Sequence, residues 1–130
     1  MPQHTQTSSH TTSTGSAMRA CIDACQVCHD RCLETLPHCL NMGGEHAEAK
    51  HIGLMLDCAQ ICQTSADFML RQSPLHAQTC GICADICERC ANDCVRFSDD
   101  VMQACAQACQ TCAESCRKMA SMGATTDGLA

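Results

Sequence analysis

Side chains that favour burial recur along this chain at alternating steps of four and three residues, with amides, acids and bases between them. In three segments the recurring residue is the same each time. Cys21-x3-Cys25-x2-Cys28-x3-Cys32, Cys83-x3-Cys87-x2-Cys90-x3-Cys94 and Cys105-x3-Cys109-x2-Cys112-x3-Cys116 repeat one spacing. Such steps place every sulfur on one face of an α-helix. Cys39 continues the first stripe by a heptad, and Cys80 continues the third backwards. A further segment, poorer in sulfur, keeps the same phase with His51, Met55, Cys58, Cys62, Ser65 and Met69.

Start and stop signals divide this pattern into four helices. The first runs from Ala17 to Met42; Pro37 either kinks it or ends it near Leu36, and Gly43-Gly44 favours a C-cap. The second runs from Glu45 to Arg71. Ser73-Pro74 supplies an N-cap and a first-turn proline for a third that reaches Arg96. Ser98-Asp99-Asp100 caps a fourth, which ends near Met122-Gly123. Segments of roughly 23 to 27 residues with short connections predict an all-α fold, an antiparallel up-down-up-down four-helix bundle with a cysteine-lined core. Residues 1–16, rich in Thr, Ser and Gln, read as a disordered polar tail, 17–122 as the bundle and 123–130 as a short flexible C-terminal tail. His4 and His10 read as incidental members of that first tail.

Composition changes the picture in one respect. The chain has 130 residues, enough for one domain, and 16 of them are Cys. Leu, Ile, Val and Phe together number 18, and there is no Trp or Tyr. So few large apolar side chains would suggest disorder, were the formal net charge not only −6 and the pattern so periodic. The cysteines must supply much of the interior, which a free thiol does as a small hydrophobe. Acidic balance and scarce aromatics argue against nucleic acid. No apolar run approaches the length of a membrane span. Met1 to Ser16 has no basic start and no apolar stretch, unlike a secretion signal, so the expected location is cytoplasmic, where thiols stay reduced.

Several chemistries compete for such stripes. Cysteines as mere core filler would carry an oxidation risk that Leu or Ala would not. Disulfides are geometrically open to helical i, i+4 pairs, but the cytosolic expectation and the same-face spacing argue against them. Zinc or iron–sulfur sites would use C-x2-C pairs such as Cys25/Cys28, Cys80/Cys83, Cys87/Cys90 and Cys109/Cys112; those motifs ordinarily sit on loops wrapping one ion, whereas here each belongs to a continuous stripe. Cu(I) suits the stripe best. Soft thiolates and thioethers select it, and it accepts two or three sulfurs. Each monovalent ion replaces one thiol proton, so a filled interior stays near neutral; a divalent ion at the same ratio would leave one buried positive charge per ion. Capacity then approaches roughly one Cu(I) per cysteine.

The triple Cys-x3-Cys-x2-Cys-x3-Cys pattern, over Ala17 to Met122, resembles the bacterial four-helix-bundle copper storage proteins. The resemblance implies a homotetramer of cysteine-filled bundles holding many Cu(I) ions, and the absence of an export signal matches the family's cytosolic branch. Copper ions are the expected partners, with a copper chaperone as a further one; neither nucleic acid nor membrane is expected. The cysteines of the first, third and fourth helices carry over directly. The second helix departs with only Cys58 and Cys62, and His51 and Met55 read as ligands that complete it. Antiparallel packing gathers Met18, Met69, His76 and Met119 at one end of the bundle. It gathers Cys39, His51 and Met102 at the other, with His38, Met42 and His46 nearby. His76 joins the expected ligands, whereas Met102 and Met119 serve equally as gap fillers, and His29, beside its stripe, reads as a surface residue. Ile22, Ile61, Phe68, Ile82 and Ile86 fall off the sulfur stripes. The function expected is Cu(I) storage rather than catalysis, because a redox or catalytic cysteine needs one distinguished thiol with an activating neighbour.

Overall fold

The computed structural model describes residues 12–129, with side chains described for 15–122. Its α-helices are α1 (Thr12–Met42), α2 (Ala49–Leu70), α3 (His76–Cys94) and α4 (Asp100–Leu129), with a short 3-10 helix (Gly44–Ala47) between α1 and α2. Among the described residues, α1 packs on α2 and α4, and α3 on α2 and α4, while the diagonal helices α2 and α4 meet only through side chains on the axis. This is a square, antiparallel up-down-up-down bundle, as the stripes predict.

Caps fix one end of the bundle. Gly43, at φ 71°, donates its amide to Cys39 O at 3.2 Å, the left-handed glycine stop that follows Met42. Asp99 caps α4: its carbonyl accepts from Gln103 N at 3.1 Å, and its carboxylate accepts from Met102 N at 3.4 Å. α1 runs through Pro37 to Met42 without stopping at Leu36, and Thr35 donates its hydroxyl to Arg31 O at 2.7 Å in the turn before the proline.

Other boundaries differ from expectation. α2 starts at Ala49 and not Glu45, because the chain spends Gly44–Ala47 on the 3-10 helix and passes through an extended Glu48. Ser73 does not cap α3. Its hydroxyl accepts from Leu75 N at 3.1 Å and its carbonyl from His76 N at 3.2 Å, so Pro74 sits in a turn and α3 opens at His76. α3 closes at Cys94, short of Arg96. α1 begins at Thr12, so Thr12 to Ser16 are helical and not part of a disordered tail; α4 passes Gly123 to Leu129. A glycine inside a helix costs only about 1 kcal/mol, and extension of a packed helix needs no new nucleus. His4 and His10 lie outside the described residues. The helices are therefore unequal, at 31, 22, 19 and 30 residues, and α1 and α4 outrun their neighbours at the Cys21 end.

The interior is narrow. Every cysteine is at 0% exposure, and alanines follow several of them in the inward register: Ala59, Ala66, Ala84, Ala91, Ala106 and Ala113 are all buried. These small side chains line the seams and let the helices approach, while the thiols occupy the axis. Of the residues off the stripes, Ile22 is buried, Ile61, Phe68 and Ile86 are half-buried, and Ile82 is exposed.

Candidate metal centre

Sulfur contacts join Cys21 to Cys32 in a connected path along the axis. From Cys21 the sulfur contacts run to Cys116 (3.5 Å), Cys25 (3.5 Å), Cys112 (3.7 Å), Cys62 (3.7 Å) and Cys87 (3.5 Å). They continue to Cys58 (3.7 Å), Cys28 (3.6 Å), Cys109 (3.7 Å) and Cys32 (3.8 Å). All four helices contribute. Within one helix the touching thiols are i, i+4 pairs, Cys83/Cys87 at 3.7 Å and Cys112/Cys116 at 3.9 Å. Cys94 and Cys105 meet at 4.0 Å. All sixteen cysteines are free thiols.

Helix α2, the poor one by sequence, is the hub. Cys58 touches Cys28, Cys87 and Cys109, and Cys62 touches Cys83, Cys87 and Cys112. Two thiols on α2 thus join stripes on the other three helices.

Four groups of thiols converge closely enough to hold an ion, with sulfurs within 4.8 Å of one another: Cys25/Cys83/Cys112/Cys116, Cys28/Cys32/Cys58/Cys109, Cys28/Cys62/Cys87/Cys112 and Cys21/Cys80/Cys116. None is built from the C-x2-C pairs that a zinc or iron–sulfur knuckle would use. Cys28, Cys112 and Cys116 each belong to two groups. Such groups cannot all be closed, separate cages; when filled together they must share bridging thiolates, which is how a cluster of monovalent ions is held.

Proton placement follows from the same contacts. Hydrogen bonding, first with Cys112, and then burial hold the Cys62 thiol far above the ordinary value of 9.0, and Cys109 is raised in the same way, with Cys105 as its leading partner. Hydrogen bonding, first with Cys109, pulls Cys28 below that value against the cost of burial. Without metal, the path is an array of buried thiols that share protons.

The Cys39 end has a different donor set. Cys39 Sγ lies 3.4 Å from His51 Nε2, 3.5 Å from Met102 Sδ and 3.9 Å from Met55 Sδ. Asp93 Oδ2 accepts from His51 Nδ1 at 2.6 Å, which turns the Nε2 lone pair towards the sulfurs. His51, Met55 and Met102 are buried. Burial, helped by the negative charge of Cys105, Asp99, Cys90 and Asp93 nearby, pushes the Cys39 thiol up to about 11. This end thus offers one thiol, two thioethers and an oriented imidazole.

At the Cys21 end, Met69 and Met119 are buried and Met18 packs half-buried against the core. Ser65 stands where a thiol would continue the α2 stripe and donates to Cys80 Sγ at 3.5 Å. His76 does not join the array. It is half-buried, belongs to none of the converging groups, and its Nδ1 is hydrogen-bonded to Ser73 O at 2.9 Å. One turn at the start of α3 separates it from Cys80, and the Ser73 turn holds its ring. His29 is half-buried and pairs with Asp30 at 2.8 Å. Sequence reasoning missed Asp93, which orients His51 from another helix 42 positions away, and no local signal marks that pairing.

A sequence profile of the copper storage protein family matches residues 14–121. The chain is 42% identical over 67 residues to an uncharacterized cysteine-rich protein, YhjQ, of Bacillus subtilis strain 168; the match covers 52% of this chain and 62% of that relative's length. Among solved structures it is similar to the Nmul_A1745 protein of Nitrosospira multiformis, with a TM-score of 0.79 and 49% identity over 83% of this chain and 98% of that one. It is similar to Cu(I)-bound copper storage protein 3 of Bacillus subtilis, with a TM-score of 0.75 and 41% identity over 80% and 98% of the two chains. A cytosolic copper storage protein from Streptomyces lividans, carrying five coppers, superposes with a TM-score of 0.73 and 25% identity over 84% and 96%. With a profile that spans the whole bundle and a thiol path that runs along its axis, the chain belongs to the copper storage protein family.

Proposed function

We propose that this protein stores Cu(I), many ions per chain, on cysteine thiolates inside the bundle. The single observation that carries this reading is the unbroken path of buried thiols from Cys21 to Cys32, whose converging groups share sulfurs. Arriving ions displace thiol protons and bridge neighbouring sulfurs, so charge stays balanced in a core with little room for anything else. The ligand set comprises the sixteen cysteines with His51 and Met55 at the Cys39 end; Met102, whose Sδ is 3.5 Å from Cys39 Sγ and nearer than that of Met55, belongs with them. His76, held through Nδ1 by Ser73 O at 2.9 Å, lies one turn before Cys80.

Storage is a better reading than catalysis. Cys39 does sit beside a His–Asp pair, the arrangement that activates a nucleophile. Its thiol is nevertheless pushed up and not down, it is at 0% exposure, and its other neighbours are thioethers. A homotetramer in the cytoplasm is the setting we assign, with a copper chaperone as donor. Supporting the assembly, Val27, Leu40, Leu56, Ile82 and Val95 are each about half exposed. Supporting the location, the Streptomyces relative is a cytosolic protein, and among the described residues no helix is long and apolar enough to cross a membrane.

Competition tests the reading. Zn(II) needs two thiolates per ion for charge balance, so it should load at no more than about half the copper capacity and be displaced by Cu(I). Zinc that resists excess Cu(I) would instead favour closed tetrahedral sites.

A further inference from the structure

Just outside the Cys39 end lies a second cluster of metal-binding side chains with no sulfur in it. His38 Nε2 is 2.8 Å from Asp99 Oδ2, and His46 Nε2 is 3.0 Å from Asp99 Oδ1. The three come from separate elements: the last turn of α1, the 3-10 helix and the cap of α4. They are partly open to solvent, at 26%, 14% and 29% side-chain exposure. Phe97 separates them from the core, with its ring 4.1 Å from that of His46 on one side and 5.1 Å from that of His51 on the other.

We infer that His38, His46 and Asp99 form a distinct site for one divalent cation of the zinc class, chemically separate from the Cu(I) store. Donor type is the first argument. Two imidazoles and a carboxylate suit borderline divalent ions, whereas the sulfurs behind Phe97 select Cu(I). Geometry is the second. The three donor atoms lie within 4.8 Å of one another; tetrahedral ligands about 2.0–2.1 Å from an ion lie roughly 3.3–3.4 Å apart, so each imidazole need move off Asp99 by only about half an ångström to admit one. Charge is the third. One carboxylate leaves a divalent ion with a net positive charge, which a solvent-facing site tolerates and the thiol core would not. Without a cation, each Nε2–H donates to Asp99; when a cation binds, each neutral imidazole moves its one proton from Nε2 to Nδ1 and ligates through Nε2, so no net proton is released. The site would tie α1, the connection and α4 together across the bundle mouth.

The test begins with reduced protein loaded anaerobically with Cu(I), so that the thiols are occupied, and uses Co(II) as probe. After desalting, about one Co(II) per chain should remain, showing d–d absorption without the intense thiolate-to-cobalt charge-transfer bands. H38Q and H46Q should each weaken retention at least about tenfold, with copper load and helical circular dichroism unchanged, while H76Q should retain Co(II) like the parent. Loss of Co(II) on desalting, equal retention in H38Q and H46Q, or charge-transfer bands that place the ion on sulfur would each overturn the inference. A failure of the storage reading shows separately, in the copper count taken before Co(II) is added.

Discussion

The two ends of the bundle close on different chemistry. At the Cys21 end thiols continue to the last layer, where Cys21, Cys80 and Cys116 converge under Met69 and Met119. At the Cys39 end a single thiol is surrounded by two thioethers and an imidazole held by Asp93. Three thiolates around one Cu(I) make an anionic site that must share its charge with neighbouring ions. One thiolate with neutral donors makes a site that is neutral by itself. By this charge count an ion at the Cys39 end would not depend on a filled neighbour.

The largest effect is expected between the ends and not at either of them. Replacing Cys58 and Cys62 together by Ser removes both hub thiols of α2, which touch Cys28, Cys83, Cys87, Cys109 and Cys112. Copper capacity should fall by several ions, more than the number of thiols removed, yet stay above half, because three stripes survive. A matched Cys21→Ser/Cys39→Ser variant should lose only about one ion per thiol. Equal losses in the two variants, measured as metal content after desalting, would show that the hub is not shared.

Next in size is a pH effect carried by Cys39. The metal-free bundle is expected to be folded and helical, since α1 and α4 are capped at the Cys39 end and protonated thiols bury well. Burial raises the Cys39 thiol from 9.0 to about 11, so the native state holds a proton that the unfolded chain releases over that range. Stability from this thiol is fully present below pH 9 and falls as pH rises towards 11, by about 2–3 kcal/mol. Denaturant titrations of reduced apo protein from pH 8 to 11 measure the fall, to which other raised thiols such as Cys62 and Cys109 also contribute, and Cys39→Ser should lessen it by that amount.

A smaller effect is expected from Asp93→Asn. The His51 ring loses its charged acceptor, and Cu(I) affinity at the Cys39 end should weaken about 10-fold, within the range for such supporting partners, with total capacity unchanged. The weakest-bound fraction in a competition with a Cu(I) chelator reports it. A uniform weakening of all ions would instead assign Asp93 a purely structural role.

The same two ends show what the sequence makes legible. Helical period places all sixteen sulfurs and the α2 register on one inward face, because side-chain direction on a helix is fixed by position alone. His51, Met55 and Ser65 are buried for that reason. Contacts that depend on how helices meet carry no such signal: the His51–Asp93 bond joins α2 to α3, and Asp99 gathers His38 and His46 from two other elements. The surroundings of His76 carried no signal either. That residue continues the α3 stripe by one step, but the turn at Ser73 holds its ring through the carbonyl.

The central claim is that the axis is a shared thiolate store for Cu(I). Anaerobic titration of reduced protein with Cu(I), followed by desalting and measurement of bound copper, tests it most directly. The expected result is stoichiometric uptake to on the order of one ion per cysteine; saturation at one or two ions per chain would contradict it and reduce the path to a dedicated site with structural thiols around it.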